Sequence, residues 1–229
     1  MNIVITGTST GIGHHLCERL IDDGHIVFGC SRKPTTFSHK NYQHFELDVA
    51  DEKAVLKMVS DVRANCSNID VLINNAGIGN LNHLFTTPVN TVRNIFETNF
   101  IGTFLFCREV GKAMSSKKFG RIINLSSVAS PLNLQGESIY AASKAAIENF
   151  SRTIAKELAP YGINVNCIGP GPINTNLTKT ISKEKLANVR SQQILNEDLD
   201  EDDIYDLICF LISKASSKIT GQFFYPGGV

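Results

Sequence analysis

The sequence predicts a doubly wound α/β fold: one mostly parallel sheet of about seven strands, with helices on both faces, in a single domain over residues 1–229. Three observations carry this. Short β-type runs alternate along the whole chain with longer helical patterns, the β-α-β order that builds parallel sheets. Several of those runs are almost continuously apolar, as strands covered on both faces must be. The chain has 229 residues, 42% of them hydrophobic and 19% charged. That is enough for one large core, and no internal repeat, low-complexity tract or linker divides it.

In order, the expected strands are Asn2–Thr6, Ile26–Cys30, Gln43–Leu47, Val71–Asn74, Arg121–Leu125, Asn164–Ile168 and Gln222–Tyr225. Helical patterns lie between them. In one, Ile147, Phe150, Ile154 and Leu158 recur at three- and four-residue spacing, an apolar stripe for one buried face. Residues 196–206 are acidic (Glu197, Asp198, Asp200, Glu201, Asp202, Asp203 and Asp206) and read as a solvated loop running into a helix whose positive end suits them. Residues 175–195 are polar and weakly patterned, and read as a mobile substrate flap.

Composition excludes several classes. Lys plus Arg and Asp plus Glu number 22 each, giving zero formal charge and no basic excess for nucleic acid. No apolar stretch reaches about 18 residues, so no membrane span is expected. Met1–Thr6 opens on a strand-like run without a basic leader, and a cytoplasmic location is the expectation. The six cysteines (Cys17, Cys30, Cys66, Cys107, Cys167 and Cys209) form no CxxC pair and read as small reduced thiols, with no metal site expected.

The first strand is followed by Thr6-Gly7-Thr8-Ser9-Thr10-Gly11-Ile12-Gly13, and then by a helical pattern at Leu16, Leu20 and Ile21. The spacing is Gly-x3-Gly-x-Gly. Glycines permit a tight turn and let the backbone approach a pyrophosphate, while the helix start offers free N–H groups and partial positive charge. Gly7, Thr8, Ser9, Thr10, Gly11, Ile12 and Gly13 are therefore expected to cradle a dinucleotide in a Rossmann-like fold. After the second strand comes Cys30-Ser31-Arg32-Lys33. An acidic residue here would accept the ribose 2′-hydroxyl of NAD; instead Ser31 and Arg32 suit a 2′-phosphate, which favours NADP(H) over NAD(H). Asp48 and Val49 follow the third strand, where they reach the adenine, or Asp48 caps the next helix. Asn74-Asn75-Ala76-Gly77 ends a further strand, placing Asn75, Ala76 and Gly77 beside the ligand.

Tyr140 and Lys144 stand four apart in Tyr140-Ala141-Ala142-Ser143-Lys144, on one helical face. A phenol titrates near pH 10 and is a poor base at neutrality; a neighbouring ammonium stabilises the phenolate and lowers that value. The pair can then give or take a proton at a carbonyl or alcohol oxygen. Ser127 lies just past the strand Arg121–Leu125, facing the crevice where such sheets bind ligands. Asn99 falls among Ile95, Phe96, Phe100 and Phe104, and is either structural glue or part of a proton path.

Together these residues resemble the short-chain dehydrogenase/reductase family, in its single-domain branch, over nearly the whole chain. The likeness covers the glycine turn, Asn74–Gly77, Asn99, Ser127, Tyr140-x3-Lys144 and Pro170-Gly171-Pro172-Ile173-x-Thr175. The resemblance implies that Tyr140 is the acid/base, that Lys144 binds the nicotinamide ribose and depresses the Tyr140 pKa, that Ser127 polarises the carbonyl, and that Asn99 positions a water reaching Lys144. It places Asn75 and Gly77 along the cofactor, and Pro170, Gly171, Ile173 and Thr175 against its nicotinamide and phosphate side. It further implies a homo-oligomer, dimer or tetramer, in which Phe100, Phe104 and Phe150 serve either an interface or the monomer core. The chain departs from the family pattern at Thr10, where many NADP-using relatives are basic, and at Pro226, where relatives often carry Asp. The leading functional expectation is an NADP(H)-dependent oxidoreductase acting on a small-molecule ketone or secondary alcohol, such as a 3-oxoacyl thioester. The alternatives are an NAD(P)-dependent dehydrogenase of a sugar or other secondary alcohol, and a non-catalytic cofactor-sensing protein.

Overall fold

The computed structural model describes residues 1–175, 178–179 and 181–229. Among them seven strands form one parallel sheet: β1 (Asn2–Thr6), β2 (Ile26–Ser31), β3 (Tyr42–Glu46), β4 (Val71–Asn74), β5 (Gly120–Leu125), β6 (Ile163–Ile168) and β7 (Phe223–Phe224). Their order is β3-β2-β1-β4-β5-β6-β7. The order reverses between β1 and β4, where Ile3 pairs with Val27 on one side and with Val71 on the other. Ligand crevices open at such reversals, beyond the carboxyl ends of the strands. All seven expected strands form. The largest shortfall is β7, whose pairing is confined to Cys167 with Phe223 and Ile168 with Phe224.

Each strand splits its side chains between two layers. Val4, Leu72, Ile122 and Val165 point into one core, closed by α2 (Glu52–Asn65), α4 (Gly102–Ser115) and α6 (Ser138–Leu158). Ile3, Ile5, Ile73 and Ile123 point into the other, closed by α1 (Gly11–Asp22) and α8 (Glu201–Ile212). The apolar runs read from the sequence are thus strands covered on both faces. The stripe on α6 buries Ile147 and Ile154, with Phe150 and Leu158 packed at the edge of the first core.

Shorter elements shape the rim. A helix α3 (Val89–Phe96) runs through a π turn (Glu97–Ile101) directly into α4. A single-turn helix α5 (Ala129–Leu132) follows β5, and α7 (Lys183–Arg190) lies within the expected flap. Asn176, Leu177 and Thr180 of that flap fall outside the described residues. The acidic stretch ends as expected, in the first turn of α8: Asp200 caps the helix, and the Asp203 side chain returns the contact to the Asp200 backbone. Asp202 pairs with Arg19 and His15 of α1, fastening the two helices of the second core. All six cysteines are free, and four of them are buried. No helix among the described residues is long and apolar enough to cross a membrane.

Candidate active site

A cleft of about 560 Å³ runs along the carboxyl ends of six strands. Its floor at the sheet reversal is the glycine turn. Gly7 and Gly11 adopt left-handed backbone (φ +75° and +59°), which only glycine takes without strain. Asn75, just past β4, braces this turn: its Nδ2 donates to the carbonyls of Thr6 (2.9 Å) and Gly7 (3.1 Å). Gly13 makes room for that brace, since a Cβ there would stand 2.4 Å from Asn75 Nδ2 and 2.3 Å from Gly7 O. Thr10 caps α1 without a side-chain hydrogen bond, so the first-turn N–H groups remain available to an anion.

At the far end of the cleft lie Ser31, Arg32 and Lys33, with Leu47, Asp48 and Val49 beside them. Ser31 is 8% exposed, while Arg32 and Lys33 are exposed and form no ion pair among the described residues. Asp48 lines the cleft and accepts from Ala50 N at 2.9 Å. The cap of α2 is Asp51, not Asp48: its carboxylate accepts from Lys53 N and Ala54 N. Across the cleft stand Pro170, Gly171, Ile173 and Thr175, with Thr175 close enough that a Cβ on Gly11 would meet it at 3.3 Å. Glycines without room for a Cβ, a free helix start and two uncompensated cations fit an extended, anionic dinucleotide.

Ser127, Tyr140 and Lys144 share the middle of the cleft with Ala76 and Gly77. Buried polar groups set their spacing. Asn74 donates to Asn124 Oδ1 across β4 and β5 (2.8 Å), and Asn124 donates to Ser151 Oγ on α6 (2.8 Å), so the helix carrying Tyr140 and Lys144 is locked to the strand ends. Lys144 is 4% exposed and its Nζ donates to the Leu125 carbonyl at 2.8 Å. Burial pushes this ammonium down to about 8, with Cys167 and Glu148 drawing it back upward. Burial pushes the Tyr140 phenol up to about 12, against the Ser127 hydroxyl, which lowers it; Glu137 raises it further. The expected depression of Tyr140 by Lys144 is therefore not what this geometry does. The ammonium is turned onto the Leu125 carbonyl, 5.7 Å from the centre of the phenol ring, and desolvation dominates.

Three anticipated site residues stand behind the wall instead of lining it. Thr8 is 2% exposed and lies against the Cys30 carbonyl. Gly13 is buried under the glycine turn. Asn99, in the π turn, is fully buried: both its amide donors are spent, on Ile78 O (3.0 Å) and Ser143 Oγ (3.0 Å), and its Oδ1 accepts from Ile78 N (2.8 Å). The side chain acts as structural glue in this packing. It ties the Gly77–Ile78 stretch to α6.

The structure adds residues that no local motif marks. Glu137, the residue before α6, lines the cleft near Tyr140, and its carboxylate has no hydrogen-bond partner among the described residues. Burial raises its pKa, and Lys185 of α7 lowers it. Glu148 accepts from Ser126 (2.5 Å), Ser130 (2.8 Å) and Tyr225 (2.9 Å), bracing the segment that carries Ser127. Each glutamate also meets a partner far away in sequence, Lys185 for Glu137 and Tyr225 for Glu148, so local spacing does not mark either of them.

Comparison with known proteins agrees with this architecture. Residues 1–186 match the family model described as short chain dehydrogenase. The chain is 32% identical to the 3-oxoacyl-(acyl-carrier-protein) reductase of Salmonella typhimurium, over 98% of this chain and 95% of that protein. It is 31% identical to the reductase of the same name in Escherichia coli, with the same coverage. Among solved structures it resembles ElxO with NADP bound (TM-score 0.89, 27% identity, 98% of this chain and 96% of that one). It also resembles a 4-hydroxyisoleucine dehydrogenase complexed with NADH (TM-score 0.90, 26% identity, 98% and 96%).

Proposed function

The chain belongs to the short chain dehydrogenase family, an NAD(P)-binding oxidoreductase acting between secondary alcohols and ketones, and on that premise we propose that it is an NADP(H)-dependent reductase whose leading substrate is a 3-oxoacyl thioester. One observation carries the reading: Ser127, Tyr140 and Lys144 converge in the middle of a cleft that continues into the glycine turn and the Ser31–Lys33 turn. The bound nicotinamide supplies the hydride. The Tyr140 phenol, held up at about 12, keeps its proton at neutral pH and is set to donate it to the substrate oxygen. Ser127 Oγ hydrogen-bonds the same oxygen and orients the carbonyl. Lys144, placed by the Leu125 carbonyl, would hold the ribose side.

The thioester preference is supported by the two reductases of that name, whose likeness extends over nearly the whole chain. The phosphate preference is supported by the uncompensated Arg32 and Lys33. A second reading, a hydroxylated substrate such as a sugar, is favoured by the Glu137 carboxylate beside Tyr140, which has no hydrogen-bond partner among the described residues and is suited to accept from a substrate hydroxyl. The test is NADPH oxidation screened over 3-oxoacyl thioesters, diketones and ketosugars. The thioester arm should turn over fastest, and Tyr140→Phe should abolish turnover while dinucleotide binding stays near normal. Activity retained by Tyr140→Phe rejects the proton donor; a fastest ketosugar arm selects the second reading.

A further inference from the structure

Beside the Ser31–Lys33 turn, outside the cleft lining, lies a chain of polar side chains that joins the two ends of the dinucleotide site. His44 stands on β3, opposite Gly29 of β2. Its Nε2 is 3.1 Å from the Lys33 carbonyl and 3.2 Å from Ser31 Oγ. A carbonyl only accepts, so the Nε2 contact is made with Nε2 as the donor. The Tyr42 hydroxyl meets Nδ1 at 2.8 Å, and lies 3.0 Å from the Thr8 hydroxyl inside the glycine turn. Gly29 opens the space for this contact: a Cβ there would stand 2.4 Å from Tyr42 Oη and 2.6 Å from Thr8 Oγ1. Thr8, which does not line the cleft, finds its role here.

Ser31 spends its own proton on the Lys33 carbonyl, at 2.7 Å. For Ser31 to hydrogen-bond an anion, that proton must turn away, and a carbonyl left unpaired beside a buried serine is costly. His44 supplies the same carbonyl with a second donor, so the hydroxyl can turn without stranding it. We propose that His44 is a positioning residue for the 2′-phosphate: by holding the Lys33 carbonyl it releases the Ser31 hydroxyl to a phosphate oxygen, and so sets the preference for NADP(H) over NAD(H). The assignment rests on the NADP(H) reading above.

The experiment is a fluorescence titration of the full chain with NADPH and with NADH, for the wild type, His44→Phe, His44→Gln, Ser31→Ala and the Ser31→Ala/His44→Phe pair. His44→Phe should weaken NADPH roughly tenfold and NADH less than about twofold, the effect of one hydrogen bond confined to the phosphate. His44→Gln, with an amide N–H in place of Nε2, should keep most of the preference. On the Ser31→Ala background, His44→Phe should add nothing. Equal losses for both dinucleotides, an unchanged NADPH-to-NADH ratio, or a full further loss on top of Ser31→Ala overturns the assignment. If His44→Phe does not fold, His44→Asn, polar but too short to reach the Lys33 carbonyl, should show the same selective loss, and an unchanged ratio there is equally fatal. A wild type that binds NADH as tightly as NADPH rejects the cofactor reading itself. A wild-type preference that survives removal of the imidazole rejects only His44.

Discussion

Arg32 is an exposed guanidinium with no ion pair among the described residues, next to a serine that is 8% exposed. A cation with no acidic partner gains more from a dianionic ligand than one already paired. Arg32→Ala should therefore weaken NADPH by about 1–3 kcal/mol and NADH much less; isothermal titration with both dinucleotides decides, and equal losses reject the phosphate contact. At this scale the sequence was readable wherever chemistry and spacing coincide. Tyr140 and Lys144 share a helix face, and Ser127 and Arg32 sit at strand ends, so position alone nearly placed them. His44, Glu137 and Glu148 were not readable, because their significance lies in partners brought in from other elements. Glu148 is 77 positions from Tyr225, and no periodicity links the two. The Tyr140 phenol shifts upward for a related reason: spacing puts a lysine near a phenol, but packing decides where its ammonium points.

At the scale of elements, the strands were legible because parallel strands covered on both faces must be apolar throughout, and Ile3 to Ile5, Val71 to Ile73 and Ile122 to Ile123 are. The helices around the site were less so. The π turn at Glu97–Ile101 has the same residue pattern as the α-helix that continues it; an extra residue per turn is invisible to a period of 3.6. Helix α7 is polar on most sides and buries only Val189, so the segment reads as a loop. Ile194 and Leu195, which follow it, are 76% and 54% exposed. A short helix that buries one side chain has little to hold it against local opening. Amide hydrogen exchange across residues 175–195 should slow at least severalfold when NADPH and substrate analogue are bound, whereas the strands should change little. Equal protection in the two states removes the flap.

For the molecule as a whole, two cores on opposite faces of one sheet leave the crevice at the sheet reversal as the place where polar groups accumulate, and Lys144 is buried there at a cost to folding. Folding lowers its pKa from 10.5 to about 8. The unfolded chain thus binds the proton more tightly, the cost is full below about pH 8, and it vanishes above the unfolded value. Wild-type stability relative to Lys144→Met should therefore rise between about pH 8 and pH 10, by on the order of 3 kcal/mol at most. Urea unfolding at both pH values checks this, and a difference that does not move with pH excludes it. The doubly wound topology itself followed from element order alone, since β-α-β units have one favoured hand and one way to stack.

The carboxylate of Glu148 gathers hydroxyls from a strand end, a one-turn helix and the Tyr225 segment after β7, and Gly169 leaves the hollow in which the Tyr225 ring lies, since a Cβ there would meet it at 2.5 Å. The segment after β5 and the end of the chain, nearly a hundred residues apart, are in this way buttoned to α6 at a single point, one residue away from Ser127. Slack in either is passed to the other. The stiffness of the wall facing the substrate is thereby a joint property of distant parts of the chain, and it is lost or kept as one.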